Sequence, residues 1–274
     1  MNTQRMSKII FYVLLTLGAL TMLLPFFWMV STSIKSAGEA LQMPPIWIPE
    51  IIRISNYQEA LEAAPFGRYF LNSLFVTSLT TSGEIVTSIL AAFAFSRLKF
   101  YGKNVLFTLI LATMMVPGEL LLISNYVTLS RFGWINTYLA LIVPWLASVF
   151  SVFTLKQAFE GIPNEIYYAA KVDGCSDFRY LWTVMVPLAK SSIVAVTILK
   201  VIGSWNSFMW PLVVTNDQSL RTLPVGLQAF TTEAGTQFEL LMAASTIVIF
   251  PMIIVYIFLQ KYIIQGIAKS GLKG

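Results

Sequence analysis

Histidine is absent from this 274-residue chain, and charged residues make up only 11% of it. The first absence removes the commonest general base and the commonest metal ligand. The second sets the chain apart from soluble domains, which carry about 25% charged residues. With 57% hydrophobic residues, it belongs to the membrane-protein class. A single cysteine, Cys175, excludes an intrachain disulfide and is silent about redox compartment. No Gly-x-x-x-x-Gly-Lys-[Ser/Thr] occurs, so any ATP used must be bound by another polypeptide. The net charge of +5 is modest and sits near the ends of apolar runs, against a nucleic-acid face. No histidine, metal cluster or paired carboxylates at one depth speak for an enzyme.

What is present is a series of long apolar runs, each near the ~20 residues that cross a bilayer as a helix. They predict an all-α integral membrane protein, a single transmembrane domain over residues 1–274. Six spans are expected, at about 9–30, 69–95, 104–126, 138–159, 191–214 and 239–264. The first run exceeds the h-region of a signal peptide and lacks an A-x-A site, so it is read as an uncleaved helix. Residues 35–68, interrupted by Pro44, Pro45, Pro49 and Pro65, read as an external loop with short interfacial helices around Ile51 to Ala64. Pro117-Gly118 interrupts the third span; Pro117 and Pro211 are expected to kink helices and not to contact a ligand. Residues 215–238 form an outer loop. With the N-terminus inside, 12 Lys and Arg fall in cytoplasmic segments and 5 outside, with Lys200 within a span. The positive-inside rule then puts both termini, and the loop at 160–190, in the cytoplasm.

That loop contains Pro163 to Pro187, the most polar long segment of the second half. Ile166, Ala169 and Ala170 fall on one helical face. Pro163 suits an early helical position, and Asp173-Gly174 stops the helix because glycine accepts the left-handed conformation. Ser176 is placed to cap a second short helix, Asp177 to Val184, before Pro187. Two short helices joined at a glycine, lying on the membrane surface, suit docking to another protein. The plainer alternative is an amphipathic hairpin resting on the bilayer, which Tyr167, Tyr168, Phe178, Tyr180 and Trp182 would fit.

Ala169-Ala170, Gly174 four positions on, and Val184-Met185-Val186-Pro187 resemble the EAA loop of permease subunits from binding-protein-dependent ABC importers. The spacing is kept in full; the leading glutamate is replaced by Tyr168, and Glu165 resembles the carboxylate of the preceding Pro-x-Glu-Leu pattern. Further segments resemble the carbohydrate branch: Met115–Glu119, Asn136–Ala140, Trp205-Asn206, Trp210-Pro211-Leu212 and Thr222–Gly226. More narrowly, the chain is similar to the second permease of maltose-type systems, including a Gly-x-x-Lys-Gly ending at Gly271, Lys273 and Gly274. The resemblance implies a type I importer architecture and a non-catalytic subunit in a bacterial inner membrane. Glu165, Tyr168, Ala169, Ala170, Asp173, Gly174 and Pro187 would form a coupling helix seated in an ATPase. It further implies a homologous second permease, two cytoplasmic ATPase subunits that bind ATP and Mg, and an external sugar-binding protein. This chain is expected to bind no cofactor or metal, and to contact lipid but no nucleic acid. Tyr168 would fill the ATPase cleft with a ring where relatives offer a carboxylate.

Two charges lie at membrane depth, Glu84 in the second span and Lys200 in the fifth. Such residues are rare and usually functional. Either they pair, or Lys200 snorkels to the cytoplasmic surface while Glu84 is wetted by a translocation cavity. A gradient-driven transporter using the two charges is the alternative to an ABC permease, as is uptake of a polyol or glycerophosphate by the same ABC mechanism. Glu119, Asn125, Trp205 and Asn206 join them as candidate pathway residues, since sugars present hydroxyl edges and apolar C–H faces. Trp205-Asn206 equally suits helix packing. Asp217, Gln218 and Arg221 are expected at the rim that meets the binding protein.

Overall fold

The computed structural model describes residues 2–233 and 235–271, with side chains over 6–233, 235–258 and 260. Lys273 and Gly274 of the terminal motif lie outside the described residues. The described residues are mostly helical, with one two-stranded antiparallel ladder among them, β1 (Thr231–Thr232) on β2 (Gly235–Thr236), in the loop at 215–238. It divides into two compact units.

The first unit comprises Met1–Phe66 and Gly226–Ile253. It holds α1 (Asn2–Ser33), α2 (Ala37–Leu41), α3 (Ser55–Glu62) and the first part of α15 (Phe238–Gly271). Because α1 is apolar on every side, it has no face to turn toward its own chain, and none of its most apolar stretch is buried. Its C-terminal end is the exception. There Asn56 Nδ2 donates to Ser33 O (2.9 Å) and Lys35 O (2.7 Å), closing carbonyls that the helix leaves open. Lys35 is fully buried with its ammonium 3.9 Å above the Trp28 ring.

The second unit comprises Gly67–Val225 and Ile254–Gly274. Its axis is α4 (Phe66–Arg97), whose Ile89, Ala92 and Phe93 pack on Leu155 and Phe159 of α8 (Val149–Glu160) and on Tyr180, Leu181 and Met185. A separate cluster joins Val76, Leu129, Ala140, Leu141, Trp210 and Val214. Among the described residues four helices are long and apolar enough to cross a membrane: 6–33, 66–97, 138–160 and 238–258. Two further pairs reach that length only if a sharp bend is counted as part of one span.

The break expected at Pro117-Gly118 is present, and further interruptions occur in the fourth and fifth expected spans. In the third expected span, α5 (Lys103–Thr113) and the stretch Gly118–Arg131, which includes α6 (Leu122–Arg131), meet at 89°. Pro117 stands at the break, where its missing N–H and restricted predecessor favour a turn. In the fourth, α7 (Tyr138–Ile142) passes into a 3-10 turn at Val143–Trp145, and α8 restarts after Ser148. The fifth begins with α12 (Lys190–Trp205), breaks at 206–208 and resumes as α13 (Met209–Val214).

Candidate functional site

The polar hairpin forms as α9 (Asn164–Val172), a glycine turn, and a second helical stretch. Pro163 takes the N-cap position, one residue before the helix proper. At the other end Gly174 adopts φ +74°; its N–H donates to Lys171 O (3.0 Å) and that of Cys175 to Ala170 O (2.9 Å). This paired closure is the Schellman motif, which needs a residue free of Cβ strain at Gly174. Ser176 Oγ accepts from Arg179 N (3.3 Å), capping α10 (Asp177–Tyr180) as expected. That helix does not stop before Pro187. It widens into a π-turn at Leu181–Met185 and continues as α11 (Val186–Leu188), then bends 81° into α12. The wider turn accommodates a proline that would collide with an α-helical carbonyl.

Three contacts lock the two arms. Tyr167 OH donates to Asp177 Oδ1 (2.7 Å), Lys171 Nζ pairs with the same oxygen (2.7 Å), and Tyr167 meets the buried Tyr180 ring edge-on at 5.0 Å. Burial, then the Asp177 carboxylate, pushes the Tyr167 phenol up to about 12. Lys171 and Tyr167 hold Asp177 below the usual carboxylate range. Arg97 roots the hairpin by donating to Phe159 O (2.8 Å) and Ile162 O (2.6 Å) at the end of α8.

The two alanines part company, against the expectation of one shared face. Ala170 packs inward beside Tyr167, while Ala169 faces out with Glu165, Asp173 and Gly174. Tyr168 is 57% exposed and Val172 87%. An outward apolar face of this kind, held rigid by a locked inner face, suits burial by a partner.

The second site is a cavity of about 460 Å³ within the second unit, lined by residues of α4, α8, α12, α13 and the break at 143–148. Glu84 and Lys200 both line it, and they pair at 2.5 Å across α4 and α12. The remaining Glu84 oxygen accepts from Ser151 Oγ (2.6 Å), and Lys200 also reaches Trp145 O (3.3 Å). The snorkelling alternative is thus set aside. The break explains why these polar groups converge. An interrupted helix in hydrocarbon leaves carbonyls that must find donors. Here Trp145 O takes Lys200, Leu146 O takes Thr87 Oγ1 (2.5 Å), and Ala140 O takes Trp210 Nε1 (2.9 Å). Gly83 lets Leu146 lie against α4, where any Cβ would collide with it.

Four expected pathway residues lie elsewhere. Glu119 sits exposed in the 3-10 turn beyond the 89° bend, and Asn125 is exposed on α6. Trp205 is buried edge-on against Phe70, and Asn206 is the exposed C-cap of α12. Pro211, expected only to kink, lines the cavity inside α13. The aromatics actually present in the wall are Trp145, Phe150 and Trp210. Pro144, in the fourth apolar run, was the sequence signal for the break that brings Trp145 there.

At the N-terminal end of α4, next to the cavity residues Ser73 and Thr222, a polar network joins the remaining motif segments. Asn72 Nδ2 donates to Ser219 O (2.7 Å) and Arg221 O (2.9 Å), and Tyr138 OH donates to Asn72 Oδ1 (2.7 Å). Asn136, at φ 60°, accepts on Oδ1 from the N–H groups of Asn216 and Asp217. Of the expected rim, Asp217 and Gln218 are exposed, whereas Arg221 is half-buried. Asp217 is held below its usual range by the Ser219 N–H.

Several long apolar helices, a charge pair in a largely apolar cavity and a rigid exposed hairpin together define a multi-pass membrane component of a transport apparatus. Residues 84–269 match the family described as binding-protein-dependent transport system inner membrane component, and the chain belongs to it. It is 36% identical to a putative ABC transporter permease protein of Caldicellulosiruptor sp. over 266 residues, 96% of each chain. To the arabinooligosaccharides transport system permease protein AraQ of Bacillus subtilis it is 31% identical, covering 100% of this chain and 97% of that one. To sn-glycerol-3-phosphate transport system permease protein UgpE of Yersinia pestis it is 28% identical, covering 98% and 99%. Its fold matches a chain of a bacterial ABC transporter involved in the import of alginate, with TM-score 0.83 and 25% identity over 96% of this chain and 98% of that one. The chain is accordingly a non-catalytic subunit, and the gradient-driven reading of Glu84 and Lys200 is not retained.

Proposed function

We propose that this chain is the permease subunit of an ATP-driven sugar importer in a bacterial inner membrane. It forms half of a translocation pathway with a homologous permease, crosses the membrane six times and keeps both termini in the cytoplasm. Two ATPase subunits, binding ATP and Mg, grip the hairpin; a binding protein delivers solute at the Asp217–Arg221 end. ATPase closure would move the hairpin as a rigid lever, switching access by rigid-body motion. The observation that carries this reading is the outward face of α9, with Tyr168 and Ala169 exposed on a helix whose inner face is locked by Tyr167, Lys171 and Asp177. Sugar as the solute rests on relatives named for arabinooligosaccharide transport and alginate import. A relative named for sn-glycerol-3-phosphate transport keeps a glycerophosphate as the second reading.

Co-purification tests it. The tagged chain should bring down a second permease and ATPase subunits, and vesicles of that complex should accumulate a neutral oligosaccharide with ATP but not with a non-hydrolysable analogue. A chain that purifies alone and transports in response to an ion gradient would refute the proposal. Gly174→Asp should stop uptake while leaving membrane insertion intact.

A further inference from the structure

We infer that the basic hollow between the α4–α5 turn and the hairpin holds the phosphate of an anionic phospholipid from the cytoplasmic leaflet. The choice of leaflet rests on the importer reading above. The hollow has a volume of about 690 Å³ and lies within the second unit. Arg97, Lys99, Phe100 and Lys103 line it on one side, Tyr168 and Lys171 on the other. Its size suits a small-molecule group, for which roughly 300–1,000 Å³ is usual.

Cations are in surplus there. Arg97 donates to the carbonyls of Phe159 and Ile162, and Lys103 Nζ donates to Leu98 O (3.0 Å). Those acceptors are neutral, so neither charge is compensated by them. Lys99 is exposed and joins no ion pair among the described residues. The carboxylates of the adjoining elements, Glu160 and Asp177, are already paired with Lys156 and Lys171 at 2.6 and 2.7 Å. Glu165 is not part of the wall. Three positive charges around one hollow are thus left without a protein counter-ion. A cleft of one charge sign concentrates anions, and a phosphodiester offers Lys and Arg strong charge-assisted hydrogen bonds.

The apolar surface leading out of the hollow makes that anion a lipid. Phe100 in the wall is exposed, and Tyr101 beside it is wholly so. Val105 and Leu109, four and eight residues beyond Tyr101, continue the strip along α5 and are 66% and 61% exposed. Acyl chains therefore have a surface to follow away from the head group. Basic pockets on the cytoplasmic side of membrane helices fit anionic head groups, and tyrosines settle at head-group level. A soluble anion would use the cations and leave the strip bare. A zwitterionic lipid would bring its own cation against the lysines.

The test uses the whole complex with its ATPase subunits, delipidated in neutral detergent and titrated with phosphatidylglycerol or phosphatidylcholine under native mass spectrometry. Lys99→Gln with Lys103→Gln should weaken phosphatidylglycerol binding about tenfold and leave phosphatidylcholine unchanged. Lys8→Gln with Lys190→Gln removes equal charge from other exposed positions and should alter neither lipid. Lys99→Glu, at an exposed position, replaces the pocket variant if that fails to assemble. Equal loss in both double variants, or loss in neither, overturns the site. Displacement of phosphatidylglycerol by free glycerol phosphate at equal concentration overturns the lipid assignment in favour of a small anion. Release of the ATPase subunits from the pocket variant, with phosphatidylglycerol still bound, overturns it in favour of an acidic protein contact. Lipid binding is scored on whatever assembly purifies, whereas an unsubstituted complex without ATPase subunits or uptake counts against the importer reading.

Discussion

The hairpin around Gly174 and the cavity around Glu84 are both functional candidates, yet they are built in opposite ways. The hairpin's working residues face outward, and its shape comes from backbone chemistry within 25 residues of chain: a capping serine, a left-handed glycine, a π-turn before a proline. The cavity's working residues face inward, and its shape comes from side chains brought together over 67 to 116 positions, Ser151 and Lys200 on Glu84. A locally encoded element can be rigid and still replaceable in its outer residues. A remotely encoded one loses its form when a single partner is removed.

Predictions sharpen that contrast, the largest effect first. Glu84→Ala should leave Lys200 uncompensated and cost about 3–5 kcal/mol, read as loss of monodisperse complex and a lowered unfolding temperature. Exchanging the pair, Glu84→Lys with Lys200→Glu, should restore most of it; a double exchange no better than either single change would deny that the pair matters. Gly83→Val should force Leu146 off α4 and cost about 1–3 kcal/mol, seen in the same melting assay. Gly174→Val should cost the hairpin about 1–2 kcal/mol for a branched residue in the left-handed region, with uptake falling far more than stability. Uptake and stability declining together would place the turn on the same footing as the cavity. Tyr167→Phe should cost about 1 kcal/mol, measured by amide exchange in α9.

The smallest effect is pH-dependent. Asp177 has its folded pKa lowered, so its contribution is present above the ordinary carboxylate range and fades as pH falls through and below it. Both partners of its ion pair with Lys171 are more than a third exposed, which limits that contribution to a fraction of ~1 kcal/mol. Tyr167 behaves in the opposite sense: raised to about 12, it contributes below the ordinary phenol range, near 10, and loses this between there and about 12. Protease sensitivity of the hairpin should therefore rise at both extremes, and Asp177→Asn should flatten the acid limb.

This contrast also explains what could be read from sequence. Apolar runs located the helices, and glycine, serine and alanine spacing located the hairpin, because those signals act over a few residues. The Glu84–Lys200 pairing was readable only as one of two arrangements, since matching depth does not say which helices touch. Trp205-Asn206 drew attention as an aromatic beside an amide, but one turns into Phe70 and the other caps α12. Trp145 and Trp210 took their place because a break at Pro144 redirects the chain, and which carbonyls a break exposes depends on neighbours far along the sequence. The divergence of Ala169 and Ala170 had the same origin: the hairpin's inner face was chosen by Tyr180, which lies beyond the turn.

The interruption at residues 143–148 bears on how the protein is made. The carbonyls of Trp145 within it and of Ala140 just before it wait for Lys200 and Trp210, both synthesised later. A chain that ends at Leu188 carries the fourth apolar stretch without two of the donors that complete it. Integration of that stretch is thereby tied to arrival of the next, and a chain truncated at Leu188 should show residues 138–160 open to extraction where the full chain does not.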